Sequence, residues 1–475
     1  MAEDVHEPGP GAPAEPERPV EVRDLVVVGA GAAGAWVAWR AAAAGRADVL
    51  LLEKTPRLGT KILASGGTRC NLTTTLGADD AARLFRGRGE RFLRRSFRAL
   101  TPTDVRDRFA GLGVATEEAP LEKIFPSSGS AREVRDALLA AVGDAGVELR
   151  TDAGVVGLRE VGRDDAGPAD PWARARGEAA PQEPSGQPRF ELDLADGSRV
   201  AARSLVLAAG GRSYPRTGTT GDAYPWLAAL GLEVTPTLPA LVPLASPAGW
   251  VHDLAGIALQ GALCRLVDPR GKEVARRERP VLFTHAGLSG PGAMDLSVHV
   301  ARAVHEAGGP VAWSVRIDPL PGLERDALRD LLVAGAGRPG APRLLRVLVD
   351  GLAAACVPLD LEPPPRRYLT ACLAQAGLDE DAGHQALGKA GRHALIEALK
   401  GLEVPIDGTL GFDQAEVTTG GLALGQVDPG TMAVRGHPGL FAVGELLDLD
   451  GPIGGLNFQS AFATAEACAV ALTRG

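Results

Sequence analysis

The segment Gly29-Ala30-Gly31-Ala32-Ala33-Gly34 has the spacing Gly-x-Gly-x-x-Gly. It directly follows the apolar run 25–28 and opens an Ala-rich stretch reaching about Ala44. Glycines at this spacing suit a strand-to-helix turn. Gly29 makes the tight turn, Gly31 lets a pyrophosphate approach the backbone, and Gly34 lets helix and strand pack closely. The helix N-terminus then offers unpaired N–H groups and partial positive charge to phosphates. A second apolar run, 48–52, ends at Glu53. An acid there accepts hydrogen bonds from ribose hydroxyls and disfavours a 2′-phosphate. Together these residues predict a bound dinucleotide, FAD or NAD rather than NADP.

A second Gly-rich polar loop decides between the two. The stretch 58–73 contains Lys61, Ser65, Gly66, Gly67, Arg69, Cys70 and Asn71. A fold for NAD alone has no need of it, whereas the ribityl chain and ring of a flavin extend beyond the first site. Gly66 and Gly67 permit close approach, Lys61 and Arg69 bring positive charge, and Asn71 both donates and accepts. Near the C-terminus the strand-like run 440–443 leads into Gly444-Glu445, then Asp448 and the run 451–459, which includes Gly454, Gly455, Asn457 and Phe458. The Ala-rich helix that follows can direct its N-terminus at the electron-rich side of a reduced flavin.

Side chains able to do proton or redox chemistry are few. Flavin N5 exchanges hydride itself, so a protein acid is optional. Cys70 is a candidate redox partner, against the plainer reading of a small packing residue. His285 has the intrinsic range of a general acid, against a role in satisfying loop backbone. Tyr214 is a candidate proton donor, though Tyr214-Pro215 also suits a turn. The histidines lack metal-ligand spacing, so no metal is expected. Only one Gly-x-Gly-x-x-Gly stands after a strand; any NAD(P)H is expected to visit the flavin transiently.

These segments resemble the YhiN/BaiN-like flavoproteins. Besides the two loops above, Ala208-Ala209-Gly210-Gly211 with Tyr214-Pro215 and Thr217-Gly218-Thr219-Thr220-Gly221-Asp222 is similar to one family motif. Thr284-His285-Ala286-Gly287-Leu288-Ser289-Gly290-Pro291 is similar to another, and the C-terminal run to a third. The resemblance spans about residues 24–472. It implies an α/β fold: a glutathione-reductase-type FAD domain of Rossmann-like build, with an inserted β-barrel plus helical domain. It also implies FAD contacts at Gly29, Gly31, Gly34, Glu53, Lys54, Gly67, Arg69, Asn71, Val155, Ala209, Gly444, Glu445, Asp448, Gly455 and Asn457. The same segments add Ala30, Lys61, Ser65, Gly66, Cys70, Gly210, Gly454 and Phe458 as candidates. One branch of the family reduces carbon–carbon double bonds of oxidised bile-acid intermediates. Thr68 and Leu456 depart from the family pattern, where Gly and Tyr stand, so the substrate is not carried over.

The elements that must position these residues follow from periodicity. Strand, helix and strand over 25–52 make a βαβ unit with parallel strands. Helical character is predicted for 80–112 and 132–145, with Gly146 as a cap. Strands are expected at 147–149, 155–158 and 190–194. After a turn at Asp196-Gly197 comes another strand, and then an apolar one at 204–208. Residues 1–21 are expected to be a disordered tail and 162–188 an exposed loop. A first domain over 22–236 and 411–475, interrupted by an inserted substrate-facing domain over 237–410, accounts for the order. The chain has 475 residues, 45% of them hydrophobic, and a net charge of −9. That charge disfavours a nucleic-acid partner, and no apolar run reaches the length of a membrane span. Five scattered cysteines and the absence of a signal-like start make the cytoplasm the expected location. The expectation is a flavin-dependent oxidoreductase passing hydride between N5 and a small organic substrate, with reduction of a conjugated C=C bond as the favoured subtype. A flavin-dependent RNA-modifying enzyme and a non-enzymatic redox sensor are the alternatives.

Overall fold

The computed structural model describes residues 20–85, 87–161, 187–335, 343–384 and 387–474. The first strand, β1 (Glu21–Val28), runs parallel to β2 (Val49–Leu52), with Val26 opposite Leu50 and Val28 opposite Leu52. The helix α1 (Ala32–Ala43) crosses between them. On its other side β1 pairs in parallel with the strand Arg199–Leu207, and beyond β2 lies Glu148–Arg150. Leu25, Val26, Val27, Leu50 and Leu51 are all fully buried, as expected of parallel strands covered on both faces.

Two expectations are corrected here. The first strand begins at Glu21, the last residue of the expected disordered tail, because Glu21 is held in the sheet by Arg150 and Arg23. The hydrogen bond from Arg150 outweighs burial and takes the Glu21 carboxyl down to about 2. The separate strands expected on either side of residue 203 are one strand of nine residues. Its free edge is shared: Phe190–Leu194 pairs antiparallel with the first part, and Leu440–Ala442 parallel with the last. The C-terminal part of the chain thus returns to the same sheet. The expected loop 162–188 and tail 1–21 lie mostly outside the described residues.

The first core joins residues before about 232 to residues after 422. At its centre α1 packs on the C-terminal helix Leu456–Arg474, with Trp36 4.8 Å from Phe462 ring to ring. The Trp36 Nε1–H and the Arg40 guanidinium both donate to Glu466. Small alanines on α1 allow this close approach.

A second core is built from residues 244–406. Its strands form two antiparallel sheets, of five and four strands, whose inward residues, such as Phe283, Leu288, Val315 and Val404, share one interior. Helices including Leu344–Cys356, Arg366–Gln375 and Lys389–Leu399 complete it. Between the two cores the chain passes out along Val234–Ala240 and back along Val417–Leu422, which pair as an antiparallel ribbon. No helix among the described residues is long and apolar enough to cross a membrane.

Candidate active site

One cavity of about 510 Å³ runs from the end of β1 to the ribbon. Gly29, Gly31, Glu53 and Lys54 line its first part. Gly29 has φ +100°, and a Cβ there would stand 2.6 Å from the Ala208 carbonyl oxygen. A Cβ at Gly34 would stand 1.9 Å from the Gly29 carbonyl oxygen, so this glycine is needed for packing and does not face the cavity. Gly31 differs: it caps α1 with no side-chain hydrogen bond, and a Cβ there would meet nothing within 4 Å. No acid stands in the first turn of α1. The open space over Gly31 and the uncapped helix end fit a pyrophosphate.

Glu53 is fixed by three donors. Its Oε2 accepts from the Ala30 N–H at 3.0 Å, and its Oε1 accepts from the Thr55 N–H at 3.0 Å and from the Thr55 hydroxyl at 2.8 Å. Ala30 therefore acts by orienting Glu53. Val155, Ala209 and Gly210 line the same end, and Ala153 donates to the Glu53 carbonyl. Tyr214 lines the cavity from the turn whose Gly218 would place a Cβ 4.0 Å from Glu53 Oε1.

Lys54, Lys61, Ser65, Gly66, Gly67, Arg69, Asn71, Glu445, Gly454, Gly455, Asn457 and Phe458 also line it. Several are already engaged. Lys54 donates to Asp222, 2.5 Å away, and Lys61 pairs with Glu445. The Arg69 guanidinium lies 4.2 Å from the Phe125 ring centre, a cation–π contact. Asn457 uses its amide to hold Gly451, accepting from its N–H and donating to its carbonyl. Gly66 and Gly67 have φ of +55° and +65°, and Thr68 follows at +71°. The Thr68 departure from the family pattern thus sits where glycine is least strained.

Besides Ala30 and Gly34, four further sequence candidates fall outside the cavity lining. Cys70 is 0% exposed, and burial pushes its thiol up to about 12. An accessible thiolate, which redox or adduct chemistry requires, is disfavoured there. His285 is exposed at the tip of the hairpin between Val281–Thr284 and Gly287–Ser289. Gly444 packs against α1, where a Cβ would stand 2.9 Å from that of Ala33. Asp448 accepts from the Gly420 N–H and the Thr235 hydroxyl and ties the ribbon together.

The far wall was not anticipated. It is formed by Leu241, Leu282, Ser289, Gly290, Pro291, Met294, Glu416 and Val417, together with Lys123 and Phe125. The Thr284–Pro291 motif does reach the site, through Ser289, Gly290 and Pro291 rather than through its histidine. Lys123 and Phe125 alternate along one strand and so share a face. Burial raises the Glu416 carboxyl above its usual range; Lys123 and Lys61 oppose that shift and Asp295 adds to it. Burial, then the Arg279 charge, lowers Lys123.

The chain matches the HI0933-like protein Rossmann domain family over residues 23–170 and 172–471. It is 30% identical over 453 residues to the ribosomal RNA dihydrouridine synthase of Escherichia coli (strain K12), covering 94% of this chain and 97% of that protein. It is 29% identical over 441 residues to the 3-dehydro-bile acid delta(4,6)-reductase of Clostridium scindens, covering 92% and 96%. Among solved structures it is similar to the 3-ketosteroid-delta4-(5alpha)-dehydrogenase of Rhodococcus jostii RHA1 in complex with 4-androstene-3,17-dione, at 16% identity and a TM-score of 0.49, covering 96% and 97%. The chain belongs to the HI0933-like Rossmann family and is an enzyme of the FAD-dependent oxidoreductase class.

Proposed function

We propose that this enzyme reduces a carbon–carbon double bond conjugated to a carbonyl group, in a small and largely apolar substrate. The observation that carries this reading is one continuous cavity, running from the Gly29–Gly31 turn to a wall that includes Leu241, Leu282 and Met294. In this reading Glu53 takes the adenosine ribose, and Gly31 with the α1 N-terminus takes the pyrophosphate. Gly66, Gly67, Asn71 and the Gly454-Gly455 loop take the flavin. When bound, FAD supplies a two-electron hydride donor at ring nitrogen N5. The space left faces Phe125, Leu241, Leu282, Met294, Val417 and Ile453, which suits an apolar ring and excludes water from it. Both curated relatives carry names that describe saturation of a carbon–carbon double bond.

The experiment is an anaerobic titration of FAD-loaded protein with NADH and then NADPH, followed by mixing with a cyclic enone. Flavin bands that bleach and then return with the enone support the reading. FAD-loaded protein that, once reduced by dithionite, is reoxidised by no conjugated alkene overturns it.

A second reading, action on uracil within RNA, is favoured by the full-length likeness to the dihydrouridine synthase. The helix Gly89–Ala99 adds exposed Arg91, Arg94, Arg95 and Arg98, although Arg94 and Arg98 are paired with Glu90 and Asp79. Its aromatic residues, Phe92 and Phe97, are buried and cannot stack on bases. Reoxidation by ribosomal RNA and not by the enone would select this reading.

A further inference from the structure

Two ionisable groups at the far end of the cavity have no structural task. Glu416 stands where the ribbon begins its return, its N–H donating to the Leu241 carbonyl at 3.1 Å. Lys123 opens the strand Lys123–Pro126 and lines the same cavity. Among the described residues, no hydrogen bond or ion pair is made by the Glu416 carboxyl or the Lys123 ammonium. Both face the cavity, close enough to act on each other's charge. The other charged groups acting on Glu416 are Lys61, itself paired with Glu445, and Asp295; those acting on Lys123 are Arg279, Arg69 and Asp295. The Glu416 side chain is exposed where it lines the cavity and has no donor to stabilise its anion, so the protein crowded around its carboxyl favours the protonated form. A lysine beside it supplies a cation that no fixed carboxylate has neutralised.

We propose that Glu416 is the proton donor of the reduction and that Lys123 takes up the charge gathering on the substrate's carbonyl oxygen. This rests on the conjugated-alkene reading above. When bound and reduced, FAD would supply the hydride for the new C–H bond at the β-carbon. The π electrons of the C=C bond move toward the carbonyl, leaving an enolate whose oxygen faces Lys123. The Glu416 O–H bond then breaks and its proton forms the second C–H bond, at the α-carbon. The alkene gains two electrons and two hydrogens, the flavin loses two electrons, and Glu416 is left a carboxylate beside Lys123 until solvent restores its proton. The flavin's own electrons come from a two-electron donor such as a nicotinamide, or dithionite in the assay.

The test compares wild-type holoenzyme with Glu416→Gln. The glutamine is isosteric, and the side chain it replaces makes no hydrogen bond, so melting temperature and FAD content are expected to stay unchanged. The first readout is infrared difference spectroscopy across a pH titration. Wild type is expected to show the stretch of a protonated carboxyl that persists above the pH at which an ordinary glutamate ionises. That band is expected to be missing from the variant, while any band from Asp448, whose carboxyl burial also raises, cancels in the difference. The second readout uses 1-nitrocyclohexene and dithionite-reduced flavin. Hydride addition to this probe gives a nitronate stable enough to detect, which separates the two steps. Wild type is expected to release nitrocyclohexane. Glu416→Gln is expected to transfer hydride but to form nitrocyclohexane about 100-fold more slowly or worse, releasing the nitronate instead. Identical infrared spectra, or equally fast nitrocyclohexane formation by the variant, overturn the proposal. Wild type that reduces no alkene overturns the reductase reading along with it, and is told apart because no nitronate forms in either protein.

Discussion

Gly31 and Gly34 lie on one turn, yet the structure assigns them opposite kinds of necessity, and alanine at each separates the two. At Gly31 the backbone has φ −77° and ψ −169°, which any residue adopts, and an added Cβ meets no protein atom within 4 Å. Gly31→Ala should therefore change the stability of flavin-free protein by less than about 0.5 kcal/mol. Its methyl enters the space where a phosphate must approach the backbone. A tenfold to hundredfold rise in the FAD dissociation constant corresponds to about 1.4–2.8 kcal/mol. At Gly34 the Cβ lands 1.9 Å from the Gly29 carbonyl oxygen, a backbone atom, and the Cβ itself is fixed directly to the backbone of α1. Relief requires α1 to shift off the sheet, at about 1–3 kcal/mol or more. Gly34→Ala should thus lower the melting temperature of flavin-free protein and FAD affinity together. The assay is chemical unfolding without FAD, paired with FAD titration by fluorescence quenching. Gly31→Ala that binds FAD as tightly as wild type would refute the placement of the pyrophosphate. Loss of flavin-free stability in Gly31→Ala equal to that in Gly34→Ala would refute the distinction itself.

Three further outcomes are expected. Glu53→Gln keeps one acceptor but sets an amide N–H against the donors Ala30 and Thr55; FAD affinity should fall by about tenfold, or 1.4 kcal/mol, read by the same titration. His285→Ala, at an exposed hairpin tip, should leave kcat/KM for any reduced alkene within twofold or so, a loss of under about 0.5 kcal/mol; a hundredfold loss would return the histidine to the site. The buried thiols of Cys70 and Cys264 rise from 9.0 to about 12 on folding. Because the folded-state values are the higher ones, their contribution is complete below pH 9. It is lost between about pH 9 and 12, at up to about 1.4 kcal/mol per pH unit for each thiol. Unfolding curves over that range should therefore flatten for Cys70→Ala relative to wild type, and identical slopes would count against it.

Which parts of the site were legible follows from how locally each is encoded. The turn at Gly29, the Glu53 position and the loop at Gly66-Gly67 are fixed by residues within one βαβ unit or one turn. Glycine spacing and apolar runs report such geometry directly. The strand Arg199–Leu207 looks like two pieces in sequence because its two halves answer to different partners on one edge, and pairing partners far along the chain leave no local trace. The motif around His285 drew notice for its histidine. Yet a hairpin reverses direction at that residue, so the tip faces solvent while Ser289 and Pro291 face the cavity.

Glu416 and Lys123 show where local reading stops. Lys123 opens a four-residue strand whose other residues are Ile124, Phe125 and Pro126, and Glu416 follows Asp413-Gln414-Ala415; neither context has a period or a motif. They meet only because the ribbon Val234–Ala240 with Val417–Leu422 returns the chain to a cavity whose other wall was laid down about 290 residues earlier. The same closure gives the pair its chemistry. A glutamate on a solvated surface would be an anion at neutral pH, and a lysine there would be one hydrated cation among many. Lining one cavity, and not bonded to each other, they become in the proposal above an acid and an electrophile within one space. The return of the ribbon brings Glu416 to the cavity, and in the proposal above it bears the proton that the glycine-rich segments have no group to supply.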